Sequence, residues 1–198
     1  MEIIPTILEK ESFQAETRFS QIKNLSSWVQ IDVIDSFLTS GKTFELELIS
    51  KFEQSTATLW DIHLMVKEPL NWLKKCLFID ASRVYGQVEM MSDRHAFVTE
   101  AKNSGLEVGL AFDINTPLDL NIPKETDYIL LMGRHFGFES LPLDQQIFDR
   151  IKFFKDKNFK VAIDGGVNPD NFQKIKDSGV DIIYLGQYFL NLTHEKKS

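Results

Sequence analysis

The stretch Lys160-Val-Ala-Ile-Asp-Gly-Gly-Val-Asn-Pro-Asp-Asn-Phe-Gln-Lys-Ile-Lys-Asp-Ser-Gly-Val-Asp-Ile-Ile-Tyr-Leu-Gly186 decides the fold. Its aliphatic run from Lys160 to Ile163 reads as a strand. Phe172 and Ile175 then share one helical face, and Lys176-Asp177-Ser178-Gly179 reads as a helix end with a glycine just past it. A second aliphatic run, Asp181 to Leu185, follows. Strand, helix and strand in that order form a parallel unit with a right-handed crossover.

The same alternation runs back to the start of the chain. Strand-like runs occur at Ile3-Ile4, Trp28 to Val33, Thr58 to Leu64, Arg83 to Val88, Glu107 to Ala111 and Tyr128 to Met132. Amphipathic stretches lie between them; Ile147, Ile151 and Phe154, for example, recur at helical spacing. About eight strand–helix units of roughly 25 residues each fit the 198-residue chain. They predict an α/β fold, a single (β/α)8 TIM barrel over residues 1–198, in preference to an open doubly wound sheet. Function in such a barrel belongs to the C-terminal ends of the strands and the loops after them.

The formal net charge of -7 argues against bulk binding to nucleic acid or to an acidic membrane. No apolar run approaches the roughly 20 residues of a membrane span. One cysteine, Cys76, allows no intramolecular disulfide, and with no signal-peptide pattern the expectation is a reducing cytoplasm. Cys76 is expected to be a structural thiol, and the polar tail from Thr193 to Ser198 to be frayed.

Period-two alternation puts Gln30 and Asp32 on one face of the second strand, and Asp61 and His63 on one face of the third. Asp164 ends the seventh. Two carboxylates and an imidazole meeting at the barrel mouth are costly to bury unpaired, and a divalent metal would satisfy all three. Salt bridges or strand-end caps are the other reading of each residue taken alone. Gly165-Gly166 and Gly186 follow the seventh and eighth strands, where barrels of this kind bind phosphate through backbone N–H groups.

Six segments carry a resemblance to the ribulose-phosphate 3-epimerase family. They are Ile4-Pro5-Thr6, Gln30-Ile-Asp-Val-Ile-Asp35, Asp61-Ile-His-Leu-Met65, Leu131-Met132 with Gly137-Phe138, Asp164-Gly-Gly-Val-Asn168, and Leu185-Gly186. They run in order over nearly the whole chain. The resemblance implies an isomerase of pentose phosphate metabolism that interconverts ribulose 5-phosphate and xylulose 5-phosphate through an enediolate. Asp32 and Asp164 match the two acid–base aspartates. A divalent ion (Mn, Mg, Zn or Fe) would be held by Asp32, His63, Asp164 and the Gln30 position. Met65 and Met132 match methionines that wall the intermediate, and Thr6 stands at a position near the substrate. Phosphate would meet Gly137, Gly165, Gly166, Gly186 and Gln187.

The chain also departs from the family pattern. Gln30 replaces one histidine ligand, which predicts a harder ion, weaker binding or loss of the metal. Gln87 replaces a second histidine, in Tyr85-Gly-Gln-Val-Glu89. The loop Ser36-Phe-Leu-Thr-Ser-Gly-Lys42 is hardly recognisable, and Gly133-Arg-His-Phe-Gly-Phe-Glu-Ser140 keeps only Gly137-Phe138 of a glycine-rich closing loop. Arg134 could grip a phosphate directly in its place. Two alternatives stay open. One is a related phosphate-binding barrel enzyme, an epimerase of another ketose phosphate or an aldol-type lyase or synthase. The other is a catalytically weak sugar-phosphate-binding barrel. With 16 phenylalanines, a homo-oligomer is open too.

Overall fold

The eight strands form one closed parallel barrel in which each pairs with its neighbour in sequence and the eighth returns to the first. The structure is a computed structural model that describes residues 1–37, 41–53, 55–137 and 141–195, with side chains to 193. The strands are β1 (Glu2–Ile7), β2 (Trp28–Ile34), β3 (Leu59–Met65), β4 (Ala81–Gln87), β5 (Glu107–Phe112), β6 (Tyr128–Met132), β7 (Val161–Asp164) and β8 (Ile182–Leu185). Each lies within two residues of its predicted run, except that β1 extends three residues beyond Ile4.

The helices are α1 (Ser12–Ile22), α2 (Leu73–Phe78), α3 (Arg94–Asn103), α4 (Ile147–Lys155), α5 (Pro169–Asp177) and α6 (Tyr188–Glu195). Two crossovers therefore depart from the expected strand–helix repeat. Between β2 and β3 the described chain makes only short 3-10 turns, Leu46–Lys51 and Ser55–Ala57. Phe44, Leu46, Ile49 and Phe52 cover the barrel there instead of a helix. Between β5 and β6 the chain is irregular, since Pro117 and Pro123 each remove a backbone donor and restrict the residue before them. The tail corrects a second expectation, because α6 stays helical to Glu195; residues 196–198 lie outside the described residues.

Alternation along the strands divides the core in two. Outward residues such as Ile31, Ile62, Val84, Ile129 and Ile163 pack under the helices. Ile147, Ile151 and Phe154 of α4 are wholly buried on this layer, as their spacing predicts. Burial of each is worth about 1.5–3 kcal/mol. Cys76 is buried in the same layer, and burial pushes its thiol up to about 12, as fits a structural role.

Below the mouth, the interior is aromatic and charged. The Arg83 guanidinium, 1% exposed, sits 4.3 Å from the Trp28 ring and 4.5 Å from the Tyr128 ring. It donates to Asp61 at 3.0 Å and to Glu107 at 2.8 Å. Tyr184 donates to the same Asp61 oxygen at 2.5 Å and lies 3.2 Å from the Tyr85 hydroxyl. Burial raises the Asp61 carboxyl to about 6 even with Arg83 and Tyr184 pulling it down.

Candidate active site

Register brings the site together. Asp32 on β2 lies directly opposite His63 on β3, and Met132 on β6 opposite Asp164 on β7. His63 Nδ1 stands 2.9 Å from Asp32 Oδ1 and 3.9 Å from Asp164 Oδ2. Its Nε2 stands 3.2 Å from Gln87 Oε1. All three predicted residues are buried, His63 completely.

The charges of these groups depend on each other. Burial disfavours an imidazolium at His63, but the hydrogen bond and charge of Asp32, with the charge of Asp164, outweigh it and raise the pKa. Both ring N–H groups of the imidazolium then have acceptors, Asp32 and Gln87. Burial, and next the charge of Asp32, raise Asp164 to about 7. His63 and Arg134 oppose that rise.

The donor set fits a divalent ion. One ligand atom each from Asp32, His63 and Asp164 lies within 4.8 Å of the others, an oxygen–nitrogen set with two negative charges. Gln30, two residues before Asp32 on the same face of β2, is wholly buried, and neither amide atom has a hydrogen-bond partner among the described residues. An orphaned buried amide costs roughly 1–3 kcal/mol, so a ligand for its oxygen would remove a penalty.

Above these residues opens a cavity of about 710 Å³, a size that suits a small substrate. Thr6, Met65, Met132, Gly137, Gly186 and Gln187 line it, with Asp32, Asp164 and both glycines after β7. Gln30 lies outside this lining. Phe138, which the resemblance places beside Gly137 in a loop that closes over the substrate, lies outside the described residues. Met65 and Met132 pack with Ile34 and Phe136 into an apolar rim. Gly165 and Gly166 are left-handed, at φ 87° and 75°, which only glycine adopts at little cost. Directly after them Asn168 caps α5, its side chain accepting from Asp170 N and Asn171 N, and Pro169 starts the helix.

The loop after β6 is tied to β5. Asp113 accepts from Phe136 N at 3.0 Å and from His135 Nδ1 at 2.8 Å. Arg134 thereby enters the cavity lining, and its chain runs alongside Gly165, where an added Cβ would meet Arg134 Cγ at 3.0 Å. Sequence reasoning missed Arg18 of α1, which also lines the cavity, and the Arg83 cluster beneath it. Neither carries a motif; each is visible only once separate segments meet.

Among the described residues, no helix is long and apolar enough to cross a membrane. Comparison with known proteins agrees with the geometry. The chain is 28% identical over 187 residues to a ribulose-phosphate 3-epimerase of Buchnera aphidicola, covering 89% of this chain and 82% of that one. It is 23% identical over 192 residues to the enzyme of that name from Mycobacterium leprae, covering 93% and 85%. In fold it is similar to a tryptophan synthase α-subunit from Pyrococcus furiosus, with a TM-score of 0.70, 15% identity, and 98% and 91% of the two chains covered. A phosphoribosyl anthranilate isomerase from Thermus thermophilus gives 0.66 at 12% identity, with 94% and 87% covered. The model of the ribulose-phosphate 3 epimerase family matches residues 2–190, and the chain belongs to that family.

Proposed function

We propose that the chain interconverts ribulose 5-phosphate and xylulose 5-phosphate by moving the proton on the carbon next to the ketone. The observation that carries this reading is the pair Asp32 and Asp164, both buried, brought from β2 and β7 to within 2.9 Å and 3.9 Å of the same nitrogen, His63 Nδ1. One carboxylate removes the proton from one face of that carbon, leaving an enediolate. The other returns a proton to the opposite face. Burial and the charge of Asp32 raise the Asp164 pKa, which favours its protonated form as the proton donor. His63 fixes the orientation of Asp32 at 2.9 Å, and Gln87 fixes His63 in turn.

Asp32, His63 and Asp164, with the Gln30 amide oxygen, are the residues that would hold a divalent ion. When bound, such an ion supplies positive charge against the oxygens that become negative. Met65 and Met132 supply an apolar, polarisable wall that keeps water from the reacting carbon. The phosphate lies by Gly165, Gly166, Gly186 and Gln187, with Arg134 above Gly165.

Incubation with ribulose 5-phosphate, with and without added Mn²⁺, Zn²⁺ or Fe²⁺, tests the proposal. Xylulose 5-phosphate should form, with solvent deuterium at the inverted carbon. No product with any ion, alongside retained binding of a sugar phosphate, would turn the reading to a binding barrel.

A further inference from the structure

Helix α1 brings a cation to the cavity that no motif marks. Arg18 lies between the buried Ala15 and Phe19 in the sequence and reaches over the end of β8. Its Nη2 donates to the carbonyl oxygen of Gly186 at 2.7 Å. That acceptor is neutral, and a guanidinium has four further N–H groups. Arg18 lines the same cavity as Asp32, Asp164, Gly186 and Arg134. Glu9 is the acidic group whose charge acts on it. In a chain of net charge -7, two arginines face one cavity, from the β6 loop and from α1. Both lie at the edge formed by the loops after β6, β7 and β8, where barrels seat phosphate.

We propose that Arg18 is a phosphate-binding residue of this cavity, holding the phosphate monoester of the substrate at Gly186 while Arg134 holds it at Gly165. The proposal rests on the sugar-phosphate reading above and adds a group to it. The two arginines form a charged clamp that does the work of the missing glycine-rich loop. Arg18 also ties the first crossover to the loop after the last strand.

A mere brace of Gly186 would need only a donor, whereas a phosphate ligand needs the charge. R18Q keeps a side-chain donor and removes the charge; R18K keeps the charge and loses the fork. Calorimetry with orthophosphate on the full chain reads binding directly, and steady-state kinetics read KM for ribulose 5-phosphate. R18Q should weaken orthophosphate binding about tenfold to a hundredfold, the usual worth of a hydrogen bond to a charged group. KM should rise by a similar factor with a smaller change in kcat, and R18K should fall between. Unchanged orthophosphate affinity in R18Q overturns the proposal, as does a wild-type chain that binds no orthophosphate. If R18Q fails to fold, R18K decides, since its affinity must still fall. Arg18-dependent orthophosphate binding without turnover of ribulose 5-phosphate would sink the epimerase reading and leave this one standing.

Discussion

Asp32 Oδ1 lies 2.9 Å from His63 Nδ1, a full ångström nearer than Asp164 Oδ2. The two carboxylates are therefore unequal before any substrate arrives: Asp32 shares its charge with the imidazole, and Asp164 has its pKa raised. Asp32→Asn and Asp164→Asn should each lower kcat by about 10²–10⁴, the usual worth of one acid–base group. Either variant retaining more than a tenth of the wild-type rate would exclude the two-base account.

The raised Asp164 pKa makes a prediction about stability without metal. An unfolded aspartate titrates near 3.8 and the folded one near 7. The folded form thus binds the extra proton between these values, and stability is lost as pH rises through that window. The loss is about 4 kcal/mol at most, from three pH units. Denaturant melts of chelated protein should show Asp164→Asn more stable than wild type at pH 8 and level with it near pH 4. A wild-type advantage at pH 8 in chelator contradicts the assignment.

Gln30 should set the choice of metal. Metal analysis of protein purified without chelator should find Mn²⁺ or Mg²⁺, or weakly held zinc. Gln30→His should tighten zinc by about tenfold or more in chelator competition. Near-stoichiometric, chelation-resistant zinc in the wild type would refute the role given to the glutamine.

Arg134→Ala should raise KM for ribulose 5-phosphate about tenfold, the lower end for a charge-assisted bond to phosphate. An unchanged KM would take Arg134 out of the phosphate site.

Arg83→Met removes the cation from buried Asp61 and should cost about 3–5 kcal/mol in thermal or denaturant unfolding. The double variant Arg83→Met with Asp61→Leu should regain most of that. Equal destabilisation of the single and double variants would show that the ion pair is not the cause.

Much of this was legible in the residue order. Strands announce themselves by short aliphatic runs, and the site by Asp-Ile-His-Leu-Met65 and Asp-Gly-Gly-Val-Asn168, because strand-end chemistry is local. The helix missing after β5 could have been read from Pro117 and Pro123. The rest depends on contacts between distant segments. Tyr184 and Asp61 are 123 residues apart, and Arg18 and Gly186 are 168 apart. Gln30 reads in sequence as a substituted ligand; that its amide is buried with no partner among the described residues is a fact of packing alone.

The Arg83 cluster has a consequence for isotopes. With Trp28, Tyr85, Tyr128 and Tyr184 wedged around that guanidinium, the barrel is solid beneath the carboxylates. Asp32 and Asp164 line the open cavity on their other side. On the two-carboxylate reading, a proton taken from substrate exchanges with water through that opening, so deuterium wash-in per turnover becomes a clock for how fast the cavity renews its water.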